Sequence, residues 1–160
     1  MQHLISILVY NKPGVLSRIA SLFSRRGYNI DSLAVGVSED PTFSRMTIVV
    51  KGDEQVLEQI FKQLHKLIDV YKVIDLSSQE HVERELMLIR LNADKTNRSE
   101  IMQICDIFRA RIVSVTEKAL IIEMTGTGDK LVAFEDLIRK FGIQEIARTG
   151  KIALNRLAKK

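Results

Sequence analysis

At 160 residues the chain has room for one domain or two small ones, with a core that removes roughly 70% of the unfolded chain's surface from water. A net charge of +4 is scattered among acidic neighbours, with basic pairs only at Arg25-Arg26, Arg139-Lys140 and Lys159-Lys160, so charge alone gives no nucleic-acid stripe. No apolar run approaches the roughly 18 residues that cross a bilayer, no signal-peptide layout opens the chain, and the single Cys105 excludes an intrachain disulfide, so a soluble cytoplasmic protein is expected.

Met1 to Tyr10 is a mostly apolar run of strand length, bounded by the turn residues Asn11-Lys12-Pro13-Gly14. Pro13 suits the first position of a helix and Asn11 lies close enough to cap it, so the helix is expected to begin at Pro13. Glycine in a first helical turn costs about 1 kcal/mol relative to alanine, which is tolerable where something approaches the backbone closely. The free N–H groups of Gly14, Val15 and Leu16 could hold a small carboxylate; the alternative is a plain turn plus cap.

The helix carries Val15, Leu16, Ile19, Leu22 and Phe23 on one face. Tyr28 to Val37 follows as a strand and Met46 to Val50 as another. A second helix rests on Val56, Leu57, Ile60, Phe61, Leu64 and Leu67, and the strand Val70 to Leu76 closes a βαββαβ set. After the polar link Ser77 to His81 the order repeats. Strand Leu86 to Leu91 leads to a helix on Ile101, Ile104, Cys105 and Phe108, strands Ile112 to Thr116 and Leu120 to Thr125, a helix on Leu131, Phe134, Leu137, Ile138 and Phe141, and a strand Ile143 to Arg148. The fold class is therefore α+β, two tandem ferredoxin-like units, with domains at 1–78 and 79–160. Each sheet has helices on one face, so its bare face needs a partner, either a second copy or a large protein.

No nucleophile with a companion base can be read, and no catalytic residue is assigned. His3, His65 and His81 lack metal-ligand spacing, so no metal site is assigned. Gly126-Thr127-Gly128-Asp129-Lys130 is a turn and not a phosphate loop, and Cys105 reads as core. An RNA-binding βαββαβ module is a fair rival. It needs aromatics on its central strands, whereas Arg45-Met46-Thr47-Ile48-Val49-Val50 and Leu120-Ile121-Ile122-Glu123-Met124 are aliphatic, so no nucleic-acid partner is expected.

Five blocks in register carry a resemblance across nearly the whole chain. They are Asn11 to Arg18 (NKPGVLSR), Arg26 to Leu33 (RGYNIDSL), Asp40 to Thr47 (DPTFSRMT), Val82 to Leu86 (VEREL) and Ala147 to Gly150 (ARTG). The first unit resembles an ACT domain, and the chain is similar to the small regulatory subunits of acetohydroxyacid synthase (acetolactate synthase). The resemblance implies a non-catalytic protein that binds and stimulates a large catalytic subunit and confers feedback inhibition in branched-chain amino-acid synthesis. The effector it implies is valine, with leucine and isoleucine as alternatives. Thiamine diphosphate, magnesium and FAD would sit in the catalytic subunit and no cofactor in this chain. It further implies a homodimer in which two ACT sheets join edge to edge. Asn11, Gly14, Val15 and Leu16 of one protomer and Asn29 and Ile30 of the other would then surround the effector. Arg45 reads as a salt-bridging loop residue or a contact to the catalytic subunit. A free-standing ACT-type amino-acid-binding protein is the alternative within this class.

Overall fold

The computed structural model describes residues 1–157, which form two compact units. The first holds β1 (Gln2–Tyr10), α1 (Val15–Arg25), β2 (Ile30–Val37), β3 (Phe43–Lys51), α2 (Glu54–Leu64) and β4 (Val70–Asp75). The second is built from β5 (His81–Asn92), α3 (Arg98–Phe108), β6 (Arg111–Val115), β7 (Ala119–Gly126), α4 (Gly128–Ile138), a 3-10 turn (Arg139–Phe141) and β8 (Ile143–Arg148); β9 (Ile152–Asn155) follows. The strand orders β2-β3-β1-β4 and β6-β7-β5-β8, with antiparallel neighbours, are those of two ferredoxin-like βαββαβ units.

Strand alternation fixes which face of the first sheet meets the helices. Ile5, Ile7 and Val9 of β1 and Met46, Ile48 and Val50 of β3 pack with Val15, Ile19, Leu22 and Phe23 of α1 and Ile60 and Leu64 of α2. The second unit repeats the scheme with Met87, Ile89 and Leu91 of β5, Leu120, Ile122 and Met124 of β7, and Ile101, Cys105, Leu131, Phe134 and Ile138 from its helices.

Helix α1 departs from the sequence expectation at its start. It begins at Val15 and not at Pro13, because Gly14 takes the left-handed conformation (φ 83°, ψ −7°) and stands as the N-cap residue. The glycine is there for its backbone angle, which an L-residue adopts at a cost of about 1–2 kcal/mol. Nor does Asn11 cap the helix, which has no side-chain cap at all. At the other end, Gly27 N donates to Ser24 O (3.1 Å) and Tyr28 N to Phe23 O (3.0 Å), the Schellman pattern that needs a left-handed residue, and Gly27 (φ 69°) supplies it. Helix α2 is capped in the ordinary way: Asp53 Oδ1 accepts from Val56 N at 2.9 Å. Asp53→Ala is expected to lower the stability of the first unit by about 1 kcal/mol, read as a lower urea midpoint with unchanged slope.

The end of the chain differs from the sequence division at 78/79. The contacts divide the chain at Val82/Glu83, within β5, and residues 151–157 group with the first unit. Lys151 N donates to Ser32 Oγ (2.8 Å), and Ala153 is buried with Leu4, Val49 and Leu76, on the face of the first sheet away from its helices. Four residues with one inward side chain give almost no periodicity, which is why β9 is absent from the sequence reading.

Candidate functional site

The corner between β1 and α1 is exposed, and its backbone is tightly tied. Asn11 N donates to Thr42 O (2.7 Å) and Lys12 N to Tyr10 O (3.0 Å), while Val15 N makes only a long bond to Lys12 O (3.5 Å). The following first-turn N–H groups have no intrahelical acceptor, as at any helix start, and they carry the positive end of the helix dipole. Val15 is buried beneath the corner and Leu16 is half exposed beside it. A Cβ at Gly14 would meet only Arg18 Nη2, 3.8 Å away. Arg18, which the sequence reading did not single out, is held by Asp69 (Nε to Oδ2 2.9 Å), a pairing across 51 residues that no local spacing reveals.

Both asparagines are oriented by neighbours. Asn11 Nδ2 donates to Pro41 O (3.3 Å) and Asn29 Nδ2 to Asp31 Oδ1 (2.8 Å), which leaves each amide oxygen as the outward acceptor. The bond from Asn29, with Lys51 Nζ 3.3 Å from Oδ2, holds the Asp31 carboxyl below the ordinary carboxylate range. Ile30, next in the chain, is half-buried against the first core.

One chain does not bring the two halves of this site together. Tyr10, just before Asn11, pairs with Phe43, whereas Ile30 pairs with Val50. From Phe43 to Val50 is about 23 Å of strand, so Asn11 and Asn29 stand at opposite ends of the unit. Strand β2 is the edge of its sheet, and its Val35 and Val37 are 47% and 63% exposed.

Elsewhere the chemistry is structural. Burial, with Asp106 adding to it, pushes the Cys105 thiol up to about 11, so the sulfur is a core group and not a thiolate nucleophile. No group of three His, Cys, Asp or Glu among the described residues is placed to hold a metal ion, and among them no helix is long and apolar enough to cross a membrane. A cavity of about 680 Å³ opens at the far end of the first unit, lined by His3, Leu57, Phe61 and acidic residues, and it does not include the β1–α1 corner. Three of its polar side chains are already engaged: His3 Nε2 bonds Gly52 O (3.1 Å), Glu58 pairs with Lys62 (2.7 Å) and Asp75 accepts from Ser77 N (2.9 Å).

Two sequence expectations are corrected at the open face of the first sheet. Strand β3 begins at Phe43 and not at Met46, so the central strands do carry aromatics: Tyr10 and Phe43 pack at 5.0 Å between ring centroids, and Tyr71 of β4 joins them at 4.9 Å from Phe43. Arg45 lies within β3, not in a loop, and donates to Ser6 Oγ (3.0 Å).

Known proteins resemble the chain throughout its length. Residues 5–72 match the model of an AHAS small subunit-like ACT domain, and residues 84–157 match that of the small subunit of acetolactate synthase. A probable acetolactate synthase small subunit of Archaeoglobus fulgidus is 56% identical over 100% of both chains. The acetolactate synthase small subunit of Haemophilus influenzae is 49% identical over 98% of this chain and 96% of its own. The crystal structure of the acetolactate synthase small subunit from Thermotoga maritima superposes with a TM-score of 0.92 at 46% identity, covering 99% of each chain.

Proposed function

Because the chain belongs to the family of acetolactate synthase small subunits, the non-catalytic regulatory partners of a large catalytic subunit, we propose that it stimulates that subunit and makes it sensitive to valine. In this reading two copies join along β2 into one continuous sheet, and valine binds where the α1 start of one copy meets the β2 start of the other. Thiamine diphosphate, magnesium and FAD reside in the catalytic subunit, and the complex works in the cytoplasm.

The observation that carries the reading is the separation of the half-sites. Asn11 and Asn29 lie at opposite ends of one unit, and a two-fold antiparallel pairing of β2 edges is the operation that exchanges ends. The exposed Val35 and Val37 give that edge an apolar surface to bury.

The recognition chemistry is that of a free amino acid. Its carboxylate takes the first-turn N–H groups beside Gly14, next to the Asp69-paired Arg18 guanidinium, and its ammonium takes the two asparagine oxygens. A short aliphatic side chain rests on the Leu16 and Ile30 surfaces.

Calorimetric titration of the full chain with valine, leucine and isoleucine tests this directly. Valine is expected to bind the wild-type dimer. Asn11→Ala is expected to weaken it by roughly 1–3 kcal/mol, about 5- to 150-fold, with little change in melting temperature because Asn11 is exposed and its side chain makes one long bond. Absence of binding by all three amino acids would overturn the effector reading.

A further inference from the structure

The open face of the first sheet carries two adjacent rungs that the effector reading does not use. Leu8 pairs with Arg45 on β3 and with Lys72 on β4, which sets a cation on either side of a half-buried leucine. The next rung is aromatic: Tyr10 pairs with Phe43, and Tyr71 packs on both, 6.5 Å from Tyr10 and 4.9 Å from Phe43. Lys12 Nζ lies over the Tyr10 ring at 5.2 Å. Ile7 and Val9, one residue to either side, point into the core, so these side chains all stand on the opposite, outward face.

We infer that this patch, Lys72–Leu8–Arg45 beside Tyr71–Tyr10–Phe43, docks an acidic segment of the large catalytic subunit. The patch is charged with one sign. Neither rung contains a carboxylate, and Arg45 and Lys72 have no acidic partner among the described residues, so the face presents uncompensated positive charge to an incoming chain. Its aromatic part is pre-ordered by ring packing yet open: Tyr71 is 62% exposed. Tyrosine and arginine fixed in this way are the residue types that dominate protein–protein binding energy. The other end of the same face is already closed by Ala153 against Leu4, Val49 and Leu76, whereas Tyr71 and Lys72 of these rungs are exposed.

The family supplies the occupant, since a small subunit has a large subunit to bind. A single-stranded nucleic acid would also meet cations and aromatics on central strands, but it needs free ring faces. Here the rings pack on one another, tilted by 35° and 44° and edge-on at 76°. The inference rests on family membership and is independent of valine.

The test measures binding of the full chain to immobilised, purified catalytic subunit at low and high salt, for wild type, Tyr71→Ala/Lys72→Glu and Lys72→Glu alone. Both positions lie on β4 with exposed side chains, and circular dichroism melts check that the variants fold. The double variant is expected to bind roughly 10- to 100-fold more weakly. Lys72→Glu is expected to reduce the salt dependence, while valine titration of the isolated variants stays as in wild type. Affinity for the catalytic subunit within about twofold of wild type in both variants would overturn the inference. If the same variants instead lose binding to a fluorescent single-stranded RNA, the face belongs to nucleic acid.

Discussion

Gly14→Asp is expected to yield a folded protein that still stimulates the catalytic subunit and no longer responds to valine. The substitution has space: the new Cβ would have only Arg18 Nη2 near it, at 3.8 Å. Its backbone is strained, since Gly14 sits at φ 83°, but aspartate is among the residues that tolerate this region best, and the cost is about 1–2 kcal/mol at most. The carboxylate then occupies the corner made positive by the first-turn N–H groups, where the effector's own carboxylate would go. Two like charges at one site cost several kcal/mol, more than about 100-fold in affinity. Feedback inhibition requires valine to bind the inhibited state better than the active one, so losing the binding removes the shift and leaves the subunit contact intact. Titration by calorimetry and an inhibition curve of the reconstituted complex measure both halves. A well-folded, stimulating Gly14→Asp protein inhibited at the wild-type valine concentration would move the effector away from the α1 corner.

Phe134→Ala is expected to be the most damaging single truncation in the second unit. Phe134 is fully buried in α4, among Ile101, Cys105, Leu131 and Ile138, with the Phe108 ring edge-on at 5.4 Å. Removing a fully buried ring leaves a cavity that close-packed neighbours fill only in part, at a cost of about 3–5 kcal/mol. Leu137→Ala, three residues along the same helix but 49% exposed, is expected to cost less than about 1 kcal/mol. Urea unfolding followed by circular dichroism compares the two; equal losses would contradict the burial assigned to α4.

Most of the architecture was legible because its signals are periodic. Ile19, Leu22 and Phe23, or Leu131, Phe134 and Ile138, recur at helical spacing, and Ile5, Ile7 and Val9 at strand spacing, so the repeated βαββαβ order follows from burial alone. What escaped the reading depends on backbone angle or on distant partners. Gly14 looked like a residue inside a helix because sequence does not distinguish a left-handed N-cap from a first-turn glycine. Phe43 gives no strand signal of its own because Asp40-Pro41-Thr42 reads as loop up to the next aliphatic run, so the aromatic rung of the open face has no local signature. The pairing of Arg18 with Asp69 and of Arg45 with Ser6 brings together residues far apart in the chain, and no local pattern links them. Of the corner itself, the types and the order of residues were readable. That its halves stand at opposite ends of one sheet emerged only from the register of β1, β2 and β3.

The central claim, that this chain regulates an acetolactate-forming enzyme without performing the reaction, is tested most directly by reconstitution. Acetolactate formation is measured for the purified catalytic subunit alone, for this chain alone, and for the mixture with and without valine. The account predicts no turnover by this chain, a higher rate for the mixture than for the catalytic subunit, and valine inhibition that depends on this chain. Turnover by this chain alone, or a catalytic rate that its addition leaves unchanged, would contradict it.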